Sequence, residues 1–241
     1  EKSEGFRLKI LAIDSSAGPA SVCVWEDGRL VGVCYTNVRL THSQTLMPML
    51  EGVLSFARVP LSEIDVFAVS AGPGSFTGVR IGVASIKGVA FAQGKPCAGV
   101  STLEAMAQNL RLLDCTACCV MDARCGQVYN AVFRIENGVL SRLTPDRALS
   151  IEALAQECQG YPGPLVLVGD GAALCAKSPL FEALSARLAP EPLRFQRASG
   201  VAACAGRMAE AGALVSAKDL LPVYLRPPQA QRALARKKDN P

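Results

Sequence analysis

One order of structural signals occurs twice along this 241-residue chain. An apolar run at 8–13 ends on Asp14. Two strand-like runs, 21–25 and 29–35, flank Glu26-Asp27-Gly28, and Asp-Gly between such runs is a hairpin signal. A helical pattern over 43–57, a strand at 65–70, a glycine-rich turn and a helix over 75–92 follow, then a short strand at 97–100. Ser101 and Glu104 have capping-box spacing for the next helix. The series then restarts. Residues 115–121 form an apolar run ending on Asp122, and 128–135 and 139–143 flank Glu136-Asn137-Gly138. A helix over 150–158, a strand at 165–168, the turn Gly169-Asp170-Gly171, a helix from Ala172 and an Ala-rich helix over 200–215 complete it. Two halves with one order of elements imply a duplicated α/β fold. The boundary falls near residue 113, giving 1–113 and 114–241, and the final helix can return to the first half.

The turn in the first half, Gly72-Pro73-Gly74-Ser75-Phe76-Thr77-Gly78-Val79-Arg80-Ile81-Gly82, admits two uses. Glycines give backbone freedom, and Ser75 or Thr77 can cap the helix that follows. Such a loop can present N–H groups to an anion. It lacks the lysine of a P-loop, and a strand–turn–helix joint needs only Gly72, Pro73 and Gly74 in a structural role.

Half the residues are hydrophobic, which suits a large core, and no apolar run reaches the ~20 residues that span a bilayer. The polar start, 1–5, lacks a signal-peptide core, so a cytoplasmic location and no membrane contact are expected. The ten cysteines are scattered through apolar segments rather than spaced as a secreted scaffold. Cys115-Thr116-Ala117-Cys118-Cys119 contains C-x-x-C, half of a zinc or redox site by spacing. It runs on into Val120-Met121 without a second pair and reads as a buried strand. His42 is the one histidine, which removes any His-pair metal site and leaves a Ser-His-Asp triad dependent on it alone. Much of the net charge of +4 lies in Arg226, Arg232, Arg236, Lys237 and Lys238, a solvated terminus with at most weak or indirect contact to RNA.

The architecture this order matches is the duplicated ribonuclease-H-like fold of the actin-like ATPase and sugar kinase (ASKHA) class, with two subdomains. Active members hold nucleotide between the halves. This chain suits that task poorly: Ser15, Ser16 and Ala17 follow Asp14 where a glycine and a hydroxyl are expected, and Pro19 has no N–H to donate. Asp14 then reads as an acid capping the end of its loop.

Leu11-Ala12-Ile13-Asp14-Ser15-Ser16, His42-Ser43-Gln44-Thr45-Leu46-Met47-Pro48, the glycine-rich turn, Asp122-Ala123-Arg124 and Pro222-Val223-Tyr224-Leu225-Arg226 together resemble the TsaB (YeaZ) family, across nearly the whole chain. The resemblance implies a non-catalytic partner of TsaD. TsaD transfers threonylcarbamoyl from its adenylate to the adenosine beside the anticodon of tRNA, with the ATPase TsaE. It implies heterodimers with TsaD, homodimers in its absence, and neither cofactor nor metal. TsaD has an H-x-x-x-H metal pair; here Leu46 follows His42 at that spacing.

Two helices then read as an interface. On the helix after the turn, Gly78, Gly82, Ser85, Val89 and Ala92 form a stripe of mostly small residues, and Val79, Val83, Ile86 and Ala90 form a second. On the preceding helix Leu46, Leu50, Val53, Leu54 and Ala57 make the core stripe, with Met47 and Met49 off it. Both stripes can be buried inside the monomer, or one can meet a homologous chain; the resemblance favours a seam through His42, Leu46, Met47, Leu50, Phe76, Gly78, Val79, Gly82, Ser85, Ile86 and Val89. On that reading Gly82→Leu leaves a folded monomer that no longer pairs. The alternatives are an actin-like or sugar-kinase-like ATPase, which needs intact phosphate loops, and a Ser or Cys hydrolase, which has only His42 as base.

Overall fold

A computed structural model describes residues 7–38 and 40–226. The polar stretch 1–5 and the basic residues Arg232, Arg236, Lys237 and Lys238 lie outside the described residues.

The first hairpin joins β2 (Ala20–Glu26) to β3 (Arg29–Thr36). Asp27 and Gly28 both take positive φ, 45° and 82°, which is the geometry that matches the twist of two paired strands. With β1 (Lys9–Asp14), β4 (Val66–Gly72) and β5 (Cys97–Ser101) these strands form one sheet in the order β3-β2-β1-β4-β5. β1 pairs antiparallel to β2 and parallel to β4. β1 is therefore central and covered on both faces. Leu11 and Ile13 meet helices α1 (His42–Ala57) and α2 (Phe76–Gln93), and Ile10 and Ala12 meet the opposite layer.

The second sheet contains β6 (Cys115–Arg124), β7 (Gln127–Glu136), β8 (Val139–Arg142), β9 (Arg147–Ser150), β10 (Leu165–Val168) and β11 (Arg187–Leu188). Its path, β8-β7-β6-β10-β11, repeats the first sheet strand for strand, with the same antiparallel and parallel pairings; β9 pairs with β7 off that path. This is the duplicated ribonuclease-H-like, ASKHA-type α/β fold.

Helix α3 (Thr102–Ala107) lies against one face of the second sheet, with Leu103 and Met106 on Cys115, Ala117, Cys119 and Met121. Helices α4 (Ile151–Cys158), α5 (Ala172–Ala176) and α6 (Pro179–Ala183) cover Cys118 and Val120 on the other. Successive strand residues point to opposite faces, so Cys115 and Cys118 cannot converge as a chelating pair. Short α7 (Glu191–Arg194) precedes α8 (Ala198–Glu210), which packs Val201, Ala202 and Ala205 on the first sheet. α8 ends earlier than the expected 215, because the chain turns at positive-φ Gly212 to let Val215 bridge Cys97. No described helix is long and apolar enough to cross a membrane.

The expected capping box at α3 is only half formed. Ser101 Oγ accepts from the Glu104 N–H, but the Glu104 carboxylate turns elsewhere. It accepts from Arg142 of β8 and Arg207 of α8, both at 2.9 Å, while Arg142 also pairs with Asp146 at 2.6 Å. This network ties α8 to the edge of the second sheet. Burial alone would raise the Glu104 carboxyl, but the Arg142 and Arg207 hydrogen bonds outweigh it and hold the carboxyl below its ordinary value of 4.5. A depressed folded-state value stabilises the fold above the ordinary value and loses that contribution as pH falls through the lowered one. Glu104→Gln is expected to cost about 1–2 kcal/mol at neutral pH and to flatten the acid limb of stability. Urea unfolding of both proteins between about pH 3 and about pH 7 checks this; parallel curves for the two would refute it.

Candidate functional site: the cleft between the sheets and the α1–α2 face

The carboxyl ends of β1, β4 and β6 converge on a cleft of about 450 Å³, lined among others by Ser16, Gly74, Asp122, Asp170 and Tyr224. In α/β folds this is where ligands bind. Asp14, at the end of β1, is fully buried. One carboxylate oxygen accepts from the Ser16 N–H (2.9 Å) and the Ser16 hydroxyl (2.7 Å), and the other accepts from the Ser70 hydroxyl. Burial pushes its carboxyl up, and the Ser70 and Ser16 hydrogen bonds pull it back. Asp14 thus caps its own loop.

The glycine-rich turn is likewise satisfied from within. The Ser75 N–H donates to the Ser16 carbonyl at 2.7 Å, and the Gly78 N–H donates to the Ser75 hydroxyl at 3.3 Å, as the expected N-cap. Ser15 Oγ donates to the Gly78 carbonyl at 2.9 Å. The loop after β1 therefore lies directly on the first two turns of α2. A Cβ at Gly74 or Gly78 would collide with the Ser16 or Ser15 carbonyl, and one at Gly82 would stand 2.6 Å from Ser15 Oγ and 3.3 Å from Val69. The Ser16, Ser75 and Gly78 N–H groups of this loop and turn are thus bonded inside the protein.

His42, the first residue of α1, donates from Nε2 to the Ala17 carbonyl at 2.7 Å, and Nδ1 is buried without a partner. It ties the same loop to α1. Leu46, where the resemblance places a second metal ligand in TsaD, is in the core at 2 % exposure.

The segment Val223 to Arg226 closes the cleft, so Arg226 is half-buried here and not part of the solvated terminus expected of it. The Val223 N–H donates to the Ala71 carbonyl at 2.7 Å, lying so close to Gly72, at φ 125°, that a Cβ there would strike the Val223 carbonyl. The Tyr224 ring packs on Phe76, centroids 4.8 Å apart. Arg80 lies over the Phe76 ring at 3.9 Å and donates from Nε to the Tyr224 hydroxyl at 2.8 Å. Arg226 then reaches the Ala123 carbonyl at the tip of β6, 3.0 Å away. Across the cleft, the Asp122 N–H donates to Asp170 at 3.2 Å. Burial, with the Asp122 carboxylate adding to it, pushes the Asp170 carboxyl up to about 6.

The α1–α2 face divides the residues expected at a seam. Leu46, Leu50, Gly78, Val79, Gly82 and Ile86 are buried within this chain against the first sheet, and Met49 joins them in the core. His42, Phe76, Ser85 and Val89 are half-buried, and Met47 is exposed. The small-residue stripe starts inward at Gly78 and emerges at Ala92 because its glycines serve the close approach to Ser15. The outward face of α2 carries Ala84, Gly88 and Phe91 instead, with nothing within 4 Å of a Cβ at Gly88; Phe91 is 79 % exposed and Phe56 of α1 89 %. Sequence periodicity misses these two phenylalanines because they lie outside both apolar stripes, each near its helix's C-terminal end.

The expectation that Gly82→Leu leaves a folded monomer is therefore corrected. A leucine there must displace Ser15 and Val69, and overpacking of this kind costs about 1–3 kcal/mol or more. Denaturant unfolding of the isolated variant checks it; wild-type stability would contradict the inward orientation.

A family profile described as TsaD: tRNA N6-adenosine threonylcarbamoyltransferase matches residues 29–188. The tRNA threonylcarbamoyladenosine biosynthesis protein TsaB of Escherichia coli strain K12 is 37 % identical over 167 residues, covering 68 % of this chain and 72 % of that protein. Its Bacillus subtilis counterpart is 30 % identical over 167 residues, 69 % of this chain and 73 % of the relative. The solved structure of YeaZ from Pseudomonas aeruginosa superposes with a TM-score of 0.75 at 28 % identity, covering 90 % of this chain and all of that one. With its doubled sheet, its internally capped Asp14 loop and these likenesses, the chain belongs to the TsaB (YeaZ) family of tRNA threonylcarbamoyladenosine biosynthesis proteins.

Proposed function

We propose that this chain is a partner subunit without catalysis of its own, required for threonylcarbamoyl transfer to the adenosine next to the anticodon of tRNA. It acts through TsaD, with TsaE, and pairs with itself when TsaD is absent. The observation that carries this reading is the internal use of the cleft's polar groups. Asp14 is bonded to Ser16 and Ser70, His42 to Ala17, and the Ser75 N–H to Ser16, so the elements that would grip phosphate or metal hold loops together instead. The α1–α2 face supports the second part. Exposed Met47, Phe56 and Phe91 beside the small residues Ala84 and Gly88 offer apolar anchors where another helix can approach closely. The seam thus consists of the half-buried and exposed members of the expected set, His42, Met47, Phe76, Ser85 and Val89, together with these residues. Contact with tRNA is indirect or weak.

Omitting each component in turn from a mixture of this chain, TsaD, TsaE, threonylcarbamoyl-adenylate and tRNA tests the proposal. No product forms from this chain alone, and product is strongly reduced without it. Product from this chain without TsaD, or micromolar ATP binding by calorimetry, would defeat the reading. Gly88→Glu and Phe91→Asp place a charge on the outward face without touching the core. Each is expected to weaken pairing with TsaD by about 30-fold or more, with unchanged unfolding. Sedimentation of the mixed subunits measures this, and undiminished pairing in both variants would move the interface elsewhere.

A further inference from the structure

Two cysteines of the second half, one on a strand and one on a helix, are set apart from simple packing. Cys118 of β6 points to the side covered by α4 and α5, and there it meets Cys158, the last residue of α4, with the two sulfurs 4.0 Å apart. Cys175 of α5 belongs to the same apolar cluster. Among the described residues no group of three His, Cys, Asp or Glu side chains could hold a metal ion, so the arrangement is a thiol pair. Neither sulfur takes part in the cleft or in the α1–α2 face.

We propose that Cys118 and Cys158 form a redox-active dithiol that closes to a disulfide under a hydroperoxide, fastening the end of α4 to the central strand of the second sheet. A disulfide needs sulfurs about 2.05 Å apart, so the pair must close by about 2 Å, and Cys158 stands at a helix terminus. Cys118 is fully enclosed, whereas Cys158 is 4 % exposed and sits where α4 gives way to a turn at Gln159 and Gly160. This makes Cys158 the sulfur that oxidant reaches first. The contact with Cys118 lowers its thiol; burial and the Glu157 carboxylate oppose this, and the guanidinium of Arg147, 2.7 Å from Glu157, offsets part of that opposition. The same contact, together with burial, raises Cys118, so its thiol stays protonated and Cys158 is the sulfur that reacts first.

The Cys158 thiolate attacks one peroxide oxygen. The O–O bond breaks, a sulfenic acid forms on Cys158, and the other oxygen takes up a proton and leaves as water from hydrogen peroxide, or as the alcohol from an organic hydroperoxide. The Cys118 sulfur then attacks the Cys158 sulfur, the S–O bond breaks, and water leaves with the Cys118 proton. Two thiols are oxidised by one hydroperoxide, and an external dithiol reverses the change.

The test uses the full chain carrying Cys125→Ser, which removes the one exposed thiol among the described cysteines. After hydrogen peroxide, alkylation under denaturing conditions and digestion, mass spectrometry should find a Cys118–Cys158 peptide pair lighter by two hydrogens, restored by dithiothreitol. Cys118→Ala should leave a Cys158 sulfenic acid that dimedone traps, and Cys158→Ala should give neither product. Full alkylation of both sulfurs after peroxide, or a bridge to Cys175 in place of this one, would overturn the proposal. Circular dichroism of each variant checks folding, and the measurement on the Cys125→Ser chain stands if Cys118→Ala fails to fold.

Discussion

The close contact between the loop after β1 and the first turns of α2 is what the remaining structure depends on. The Ser16 carbonyl accepts from the Ser75 N–H, and the Ser15 hydroxyl donates to the Gly78 carbonyl. Small residues at 74, 78 and 82 make it possible, since any Cβ there would collide. The buried carboxylate of Asp14 holds the same loop from below through Ser16 and Ser70. A carboxylate in this position is costly unless its lone pairs are met, and here serines meet them. This loop is thereby a joint between β1 and α2.

That joint leaves the cleft shaped but internally bonded. The segment from Val223 to Arg226 crosses its mouth, tied to Ala71 at one side and Ala123 at the other. Arg80 connects this segment to α2, because its guanidinium lies on Phe76 and donates to Tyr224. Helix α2 is thus in contact, at its first turn, with the segment that bridges the two sheets. The Glu104–Arg142–Arg207 network is a second bridge between them. Both bridges are polar and lie at the rim, while the four apolar clusters fill the layers on either side of each sheet.

Much of the fold was legible in residue order. Both hairpins were marked by Asp-Gly and Asn-Gly, and both turns use the positive φ those residues tolerate. The apolar runs at 8–13 and 115–121 became central strands because a strand buried on both faces needs apolar residues at every position. The short elements after 176 were not legible: a turn of helix such as Pro179–Ala183 or Glu191–Arg194 is too brief to show a period. The site was partly legible. Asp14, His42 and the glycine turn stand out in the sequence as motifs, but the hydrogen-bond partners of Asp14 and His42, Ser70 and Ala17, lie far along the chain or in a loop without a motif.

By itself the sequence determined the duplicated order of strands and helices, the single histidine and the joint built on glycines. These depend on local periodicity, on turn geometry and on residue counts, which need no neighbours. Tertiary structure alone decided which side of α2 faces outward. Two apolar stripes on one helix look equivalent in sequence, and only the depth of the Ser15–Ser16 loop beneath Gly78 and Gly82 turns those residues in and leaves Ala84, Gly88 and Phe91 to the surface. It also brought Cys118 to Cys158 across 40 residues of chain, a proximity set by the packing of a helix end on a strand.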